Sequence, residues 1–268
     1  MTETYSVVIP AFNAERTIEA CLASVAAQTL PPLEVLVIDD HSPDRTRDAV
    51  ERSRGRLAAA GIGLVYLRLL TNSGPSVARN TGIRASTANF IAFLDADDTW
   101  DPDKLRIVDR HFGGSGAGLA FHAYTEAPTP VVCPRPATWG PEHRSDILSI
   151  HRMLLRNPAQ TSCVVMRKQP TWLFDESMWR CEDYDLWMRI AERSSILRIA
   201  GRALTRLGRP QLSAGGLSAD ALRMRIGELR VYRNFCARSW RARAWALPAL
   251  TLFSSMKYLY SGLRRWLR

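Results

Sequence analysis

The stretch Phe90-Ile91-Ala92-Phe93-Leu94-Asp95-Ala96-Asp97-Asp98-Thr99-Trp100-Asp101-Pro102-Asp103-Lys104-Leu105 decides the fold. A short apolar run closed abruptly by acids reads as a buried strand ending in a loop, and Pro102 marks the start of a helix. Asp95, Asp97 and Asp98 therefore leave the core together. Carboxylates this close repel one another, and a hard divalent cation with oxygen ligands relieves the repulsion and can hold a diphosphate. An isolated Asp-x-Asp is read first as a solvated acidic turn, so the neighbouring segments decide.

Upstream, Tyr5 to Ile9 is a strand by its β-branched content, ended by Pro10-Ala11-Phe12-Asn13. Ala14 to Thr29 places Ile18, Cys21, Leu22 and Val25 on one helical face. Glu34 to Ile38 is a second strand running into Asp39-Asp40-His41-Ser42, Pro43 to Ala60 a helix, Leu64 to Leu69 a third strand, and Pro75 to Ala85 a helix before the central strand. The alternation implies α/β architecture with a right-handed, mostly parallel sheet covered on both faces. In such a sheet ligands bind at the carboxyl ends of the strands. Asn13, Asp39 with Asp40, and Asp95 to Asp98 all fall there. No Gly-x-Gly-x-x-Gly or Gly-Lys-Thr loop occurs, which excludes the usual dinucleotide and P-loop sites.

Downstream, Leu119 to Tyr124 reads as a strand, 128–141 as an irregular Pro-rich loop, Ser145 to Arg156 as a helix and Gln160 to Met166 as a strand. The segment Cys181-Glu182-Asp183-Tyr184-Asp185-Leu186-Trp187-Met188-Arg189-Ile190-Ala191 is a helix with an acidic first turn. Acids there are favoured by the helix dipole alone. If the turn points into the cleft, Asp183 has the chemistry of a general base for an incoming hydroxyl.

Together these residues resemble the family-2 glycosyltransferases of the GT-A fold, inverting enzymes that use nucleotide-diphosphate sugars. The resemblance spans about Tyr5 to Glu192. It rests on Val8-Ile9-Pro10-Ala11-Phe12-Asn13, Val37-Ile38-Asp39-Asp40-His41-Ser42, Gly74-Pro75-Ser76-Val77-Ala78-Arg79-Asn80-Thr81-Gly82, the acidic stretch above, and Glu182-Asp183-Tyr184-Asp185-Leu186-Trp187. It implies that Pro10, Phe12, Asn13, Asp40, Arg79, Asp95 and Ala96 bind the nucleotide sugar. Pro10 and Asn13 would line the base and ribose pocket, Asp40 would accept from a uracil-type ring nitrogen, and Arg79 would lie near the diphosphate or base. Asp97 would bind Mn or Mg, Asp183 would be the catalytic base, and Glu182 beside it would position the acceptor or support the site. The implied partners are a nucleotide-diphosphate sugar, by resemblance UDP-linked, and a lipid-linked or cell-surface glycan acceptor. One departure stands out. Members of the family often carry a metal-binding histidine after the base helix, but His41, His111, His122, His143 and His151 all precede it, and the corresponding segment from Arg206 to Ser218 carries arginines and glycines. That segment reads either as a loop over the donor, with Arg206 or Arg209 near phosphate, or as an ordinary basic loop.

The five cysteines are scattered, which argues against a zinc ribbon or a redox dithiol and for reduced, mostly buried thiols. Trp100, Trp179 and Trp187 are core candidates, with Trp179 the best candidate for stacking on a sugar. The opening Met1-Thr2-Glu3-Thr4 has no basic n-region, so the expectation is a cytoplasmic protein. The net charge of +10 is uneven: seven basic and no acidic residues lie between Arg238 and Arg268. The division expected is a catalytic domain over 1–215 and a helical, basic extension over 216–268, in which Leu217 to Cys236 is a helix with Leu222, Ile226 and Leu229 on one side. Basic and aromatic residues around the apolar run of 240–268 suit peripheral contact with the inner face of the plasma membrane; the alternative is helices packed on the catalytic domain or a partner subunit. An oligomer stays open. Nucleic acid is not an expected partner, because no binding module is present and the basic excess sits in an apolar tail. The competing functional reading is a catalytically inactive nucleotide- or glycan-binding scaffold, against which intact Asp97 and Asp183 argue.

Overall fold

A computed structural model describes residues 3–126, 143–209, 220–238 and 246–266, with side chains to residue 258 in the last segment. The expected Pro-rich loop over 128–141 and the expected loop beyond Arg209 lie outside the described residues.

The first half alternates as the sequence predicts. Strands β1 (Tyr5–Ala11), β2 (Glu34–Asp39), β3 (Gly63–Arg68) and β4 (Phe90–Phe93) are joined through helices α1 (Ile18–Ala26), α2 (Thr46–Ala59) and α3 (Pro75–Ala85). The second half contributes β5 (Thr99–Trp100), α4 (Lys104–Phe112), β6 (Leu119–His122), β7 (Tyr124–Glu126), β8 (Arg144–Leu148), α5 (Ile150–Leu155), β9 (Val164–Arg167), α6 (Glu182–Ala191), β10 (Ile196–Ala200), β11 (Thr205–Leu207), α7 (Ala221–Arg238) and α8 (Ala246–Trp266). The main sheet has the order β3-β2-β1-β4-β9-β6-β10-β8, and β5-β11-β7 form a small second sheet. Strands β1 to β4 are parallel neighbours; β9 runs antiparallel to β4 and β6, and β8 antiparallel to β10.

The central strands are buried on both faces because their residues are mostly apolar, and Ser6 of β1 is satisfied by donating to Glu34 of β2. Alternation divides them between two core layers. Val7, Ile9, Val35 and Val37 pack with Cys21, Leu22 and Val50 of α1 and α2, whereas Val8, Leu36 and Ile38 pack with Ala78 and Ile83 of α3. Helix α3 approaches so closely that a Cβ on Gly82 would lie 2.4 Å from Val8 Cγ1 and 3.3 Å from Ile38 Cγ1. Gly82→Ala is therefore expected to destabilise the protein by about 1–2 kcal/mol, overpacking outweighing alanine's helix preference. The check is urea unfolding, in which the midpoint falls and the m-value holds.

Three expectations are corrected. The helix expected over Ser145 to Arg156 is strand β8 followed by the short helix α5, with Ser149 capping Arg152 N between them. Its apolar residues fit either period, and the open edge of β10 captures the first half by backbone pairing. The strand expected over Leu119 to Tyr124 divides between two sheets at Ala123. In α7 the expected apolar side is buried only in part: Leu222 and Ile226 are exposed and Leu229 is half-buried against the core, while Gly227, Val231, Tyr232 and Cys236 are buried. Glycine decides this, because a Cβ at 227 would meet Arg180 O at 2.8 Å, so only this face can approach the turn before α6. Tyr232 then stacks edge-on to Tyr184 of α6, 6.5 Å between ring centres.

Among the described residues the cysteines are free, and Cys21, Cys163 and Cys236 are buried. No helix among the described residues is long and apolar enough to cross a membrane.

Candidate active site

Pairing in register brings Ala11 of β1 beside Asp39 of β2, with β4 on the other flank of β1. The three chain segments leaving these strands therefore emerge along one edge. There Pro10, Phe12, Asn13, Asp40, Arg79, Asp95, Ala96, Asp97, Glu182 and Asp183, the residues to which the family resemblance gives a role, line one cavity of about 950 Å³.

The acidic loop after β4 is heavily tied. Asp95 N donates to Ser162 Oγ at 3.0 Å, and the Asp95 carboxylate accepts from Arg79 Nη2 at 2.8 Å. Asp98 is buried, and its Oδ1 accepts from Gly208 N at 2.9 Å. Asp97 pairs with Arg209, 3.1 Å from Nε to Oδ2. Gly208 makes this approach feasible, since a Cβ there would lie 1.8 Å from Asp97 O. Burial, and then the neighbouring Asp95 charge, raise the carboxyl groups of Asp97 and Asp98 above the ordinary range; Arg209 opposes the rise at Asp97. So Asp97 is the carboxylate of the loop whose partner is itself exposed, at 59%. Among the described residues no three His, Cys, Asp or Glu side chains group into a protein-only metal cage. A single carboxylate completed by substrate phosphates and water is the arrangement that suits Mg or Mn.

Arg79 lies at the wall of the cavity. It is buried between Asp95 and Glu182, Nη1 at 3.2 Å from the latter, with its guanidinium 5.4 Å from the Phe174 ring centre. It thus fastens the acidic loop to the start of α6. Asp40 is also engaged: its two oxygens accept from Ser73 N at 2.7 Å and Gly74 N at 2.8 Å, fixing the turn that opens α3. A carboxylate has about four acceptor positions, so a ligand donor can still reach it.

Asp183 stands in the first turn of α6, after Cys181 in a left-handed conformation, φ 59°. Its Oδ1 accepts from Tyr184 N at 2.7 Å, and its Oδ2 accepts from Asn157 Nδ2 at 3.2 Å and Thr161 Oγ1 at 3.4 Å. Burial, and then the charge of Glu182, push its carboxyl up to about 6, with the Tyr184 amide and Arg79 acting against the rise. It is thus ionised at neutral pH yet basic enough to take a proton.

Sequence reasoning did not single out Asn157, Thr161 or Ser162. Ser162 is a hub: its carbonyl accepts from Trp100 Nε1 at 3.0 Å and Thr205 Oγ1 at 3.1 Å, while its hydroxyl holds Asp95 N. Polar residues inside an apolar strand pattern, as in Gln160-Thr161-Ser162, are the one signal that could have exposed them. The wall contributed by α7 and α8, through Met224, Arg225, Glu228, Ser254, Lys257 and Tyr258, has no such signal. Trp100 and Trp187 are core residues; Trp179 is exposed and lies on the cavity wall beside Gly74.

Known proteins are similar to this chain in sequence and in fold. Over 106 residues the chain is 42% identical to the UDP-Glc:alpha-D-GlcNAc-diphosphoundecaprenol beta-1,3-glucosyltransferase WfgD of Escherichia coli, a match covering 38% of each chain. Over 192 residues it is 29% identical to the amylovoran biosynthesis glycosyltransferase AmsB of Erwinia amylovora, covering 69% of this chain and 63% of that protein. The chain therefore matches between about two fifths and two thirds of the length of these relatives. Its fold superposes on Staphylococcus aureus TarS in complex with UDP-GlcNAc with a TM-score of 0.64 at 22% identity, covering 86% of this chain and 67% of TarS. It superposes on the mannosyltransferase PcManGT of Pyrobaculum calidifontis, in complex with GDP-Man and Mn2+, with a TM-score of 0.65 at 16% identity, covering 98% of this chain and 76% of that one. The architecture is the GT-A fold. The sequence profile of Glycosyl transferase family 2 matches residues 6–141, and the chain belongs to that family.

Proposed function

We propose that this protein is an inverting glycosyltransferase that moves a sugar from a UDP-linked donor to a hydroxyl of a lipid-linked or cell-surface glycan. The observation that carries the reading is the convergence of the strand-end residues and of Asp183, an ionised carboxylate held at raised basicity, on one cavity. The UDP-sugar and the lipid diphosphate named for WfgD, and the UDP-GlcNAc bound to TarS, support the choice of substrates.

In this reading Pro10, Phe12 and Asn13 border the base and ribose, with Asp40 accepting from the base, Asp95 lies at the ribose or its surroundings, and Ala96 borders the nucleotide sugar. The acceptor hydroxyl gives its proton to Asp183 while its oxygen bonds to the anomeric carbon. The bond from that carbon to the diphosphate oxygen breaks, the electron pair leaves with the nucleoside diphosphate, and the configuration inverts in one displacement. Asp97 would hold a divalent cation, Mn or Mg, which when bound would supply neutralisation of the charge growing on the leaving group. Arg209, which reaches Asp97 in the ligand-free chain, is placed to turn its guanidinium onto a diphosphate oxygen. Glu182 keeps Arg79 in place and thereby keeps Asp183 aligned with the acidic loop.

The test incubates the protein with a panel of radiolabelled sugar nucleotides and a bacterial lipid extract as the acceptor source. The expected result is that one UDP-sugar labels the extract and that Asp183→Asn does not. Nucleotide binding without label transfer from any donor would favour the inactive scaffold instead.

A further inference from the structure

The cavity extends past Asp183 onto the C-terminal helices, outside the matched family profile. Gly227 seats α7 against Arg180 O, and Cys181 Sγ reaches Met224 O at 3.5 Å, so this wall is fixed beside the first turn of α6. Helix α8 is pinned to α7 by Ser254 Oγ donating to Glu228 Oε2 at 2.7 Å and by the Lys257–Glu228 ion pair.

The charges on this wall are not balanced. Glu228 is taken by Lys257, Ser254 and Tyr232. Arg225 is instead held by neutral groups, donating from Nη2 to Ser255 Oγ at 2.6 Å with its guanidinium 5.1 Å from the Tyr258 ring centre. Arg180 donates to Trp179 O at 2.7 Å, and its Nε is buried without a hydrogen-bond partner. Two guanidinium groups thus face the cavity with positive charge to spare. The same two helices expose Leu222, Ile226, Leu252 and Met256 at 57–63%. These flank the cavity-lining positions Ala221, Arg225, Ser254 and Lys257, so cationic and apolar surfaces adjoin along the pair.

Building on the transferase reading, we propose that α7 and α8 form the acceptor subsite and that the acceptor is a saccharide carried on a phosphate-bearing lipid. Arg225 and Arg180 take the phosphate, and the hydrocarbon lies over Leu222, Ile226, Leu252 and Met256. Guanidinium forks suit phosphate oxygens, and an amphiphile satisfies the charged and apolar surfaces together. A lipid-borne phosphate also accounts for an apolar face left outside the core in the helix next to the base.

The experiment measures partition of the full chain onto three vesicle types: phosphatidylcholine alone, phosphatidylcholine doped with polyisoprenyl phosphate, and phosphatidylcholine doped to the same charge with phosphatidylglycerol. The expected result is roughly tenfold stronger partition onto polyisoprenyl phosphate than onto phosphatidylglycerol. Arg225→Ala with Arg180→Ala abolishes that preference, and Ile226→Asn with Met256→Asn weakens partition onto both charged vesicles. The thermal shift caused by UDP is followed on every variant to show that it is folded with its donor half intact. Equal partition onto the two charged vesicles would mean generic headgroup attraction and overturn the subsite, as would a preference that survives the arginine substitutions, or no partition at all. Because the vesicles contain no nucleotide, loss of the UDP shift in the wild type overturns the donor reading and leaves the lipid result to stand or fall alone.

Discussion

Asp183→Asn is expected to lower sugar transfer by about 10²- to 10⁴-fold while raising thermal stability at pH 7.5. The first effect follows from removing the proton acceptor. The second follows from the direction in which the fold moves that group. Burial and Glu182 raise the Asp183 carboxyl from the ordinary aspartate value to about 6, so its ionised form is less favoured in the folded chain than in the unfolded one. Above about pH 6 the wild type carries that cost and the amide does not, which makes the variant more stable by about 1–3 kcal/mol. Below the unfolded value near 4 the carboxyl is protonated in both states, and the difference disappears. Two measurements check this: the pH dependence of kcat/KM in the wild type, which should fall tenfold per unit below about pH 6, and melting temperatures of both proteins from pH 4 to 8. A stable variant that has lost its activity is the signature of a functional group held against its own preference. A purely helix-capping Asp183 would give the opposite sign, because its loss would lower the melting temperature at neutral pH.

Arg79→Ala should be the most damaging substitution for stability. The guanidinium has 7% of its side-chain surface exposed and ties Asp95 to Glu182. Removing it leaves two carboxylates in a largely buried setting with no cation between them, a loss of about 3–5 kcal/mol. That is a large share of the 5–15 kcal/mol that typically separates folded from unfolded states. The penalty should be smaller at pH 5 than at pH 8, since protonating a carboxylate removes uncompensated charge. Arg79→Lys is expected to fall between the two, because an ammonium keeps the charge and loses the fork that spans both partners. Chemical unfolding at both pH values separates these outcomes. If Arg79 were mainly a ligand-binding residue, its loss would weaken nucleotide binding and leave the unfolding midpoint in place.

The site was legible in the sequence to the extent that chemistry is punctuated by strand ends. Apolar runs such as Val7-Val8-Ile9 and Phe90-Ile91-Ala92-Phe93 admit one reading, and the polar residues that close them must emerge together once the sheet is parallel. That logic brought Asn13, Asp40 and Asp95 to one edge without knowledge of any side-chain position. It did not extend to how each residue is employed. Arg79, expected near the diphosphate or base, ties Asp95 to Glu182 at the cavity, and Asp40 accepts from two amides of a loop 33 and 34 residues away; such pairings depend on tertiary placement that no local pattern encodes. The segment from Ser145 was misread because its apolar residues satisfy both helical and strand periods, and pairing with β10 settled the matter. Helix α7 was misread for a different reason. It carries two apolar stripes, and the choice between them rests on the absence of a side chain at Gly227, which a hydrophobicity pattern does not register. The segment after the base helix reads either as a loop over the donor, with Arg206 or Arg209 near phosphate, or as an ordinary basic loop, and the structure adds that Arg209 spans to Asp97, through an approach that only a glycine at 208 permits.

The central claim is that the cavity holds a nucleoside diphosphate through a metal on Asp97. The measurement that tests it most directly is a thermal-shift panel of UDP, GDP, CDP and dTDP, each with and without Mn, on the wild type and on Asp97→Ala. A nucleotide at a hundredfold excess over its dissociation constant adds about 2.7 kcal/mol of stability, well within what melting resolves. The account predicts that UDP with Mn stabilises the wild type and that Asp97→Ala removes the metal-dependent part. Stabilisation by no nucleotide, or an equal and metal-independent shift in both proteins, would contradict it.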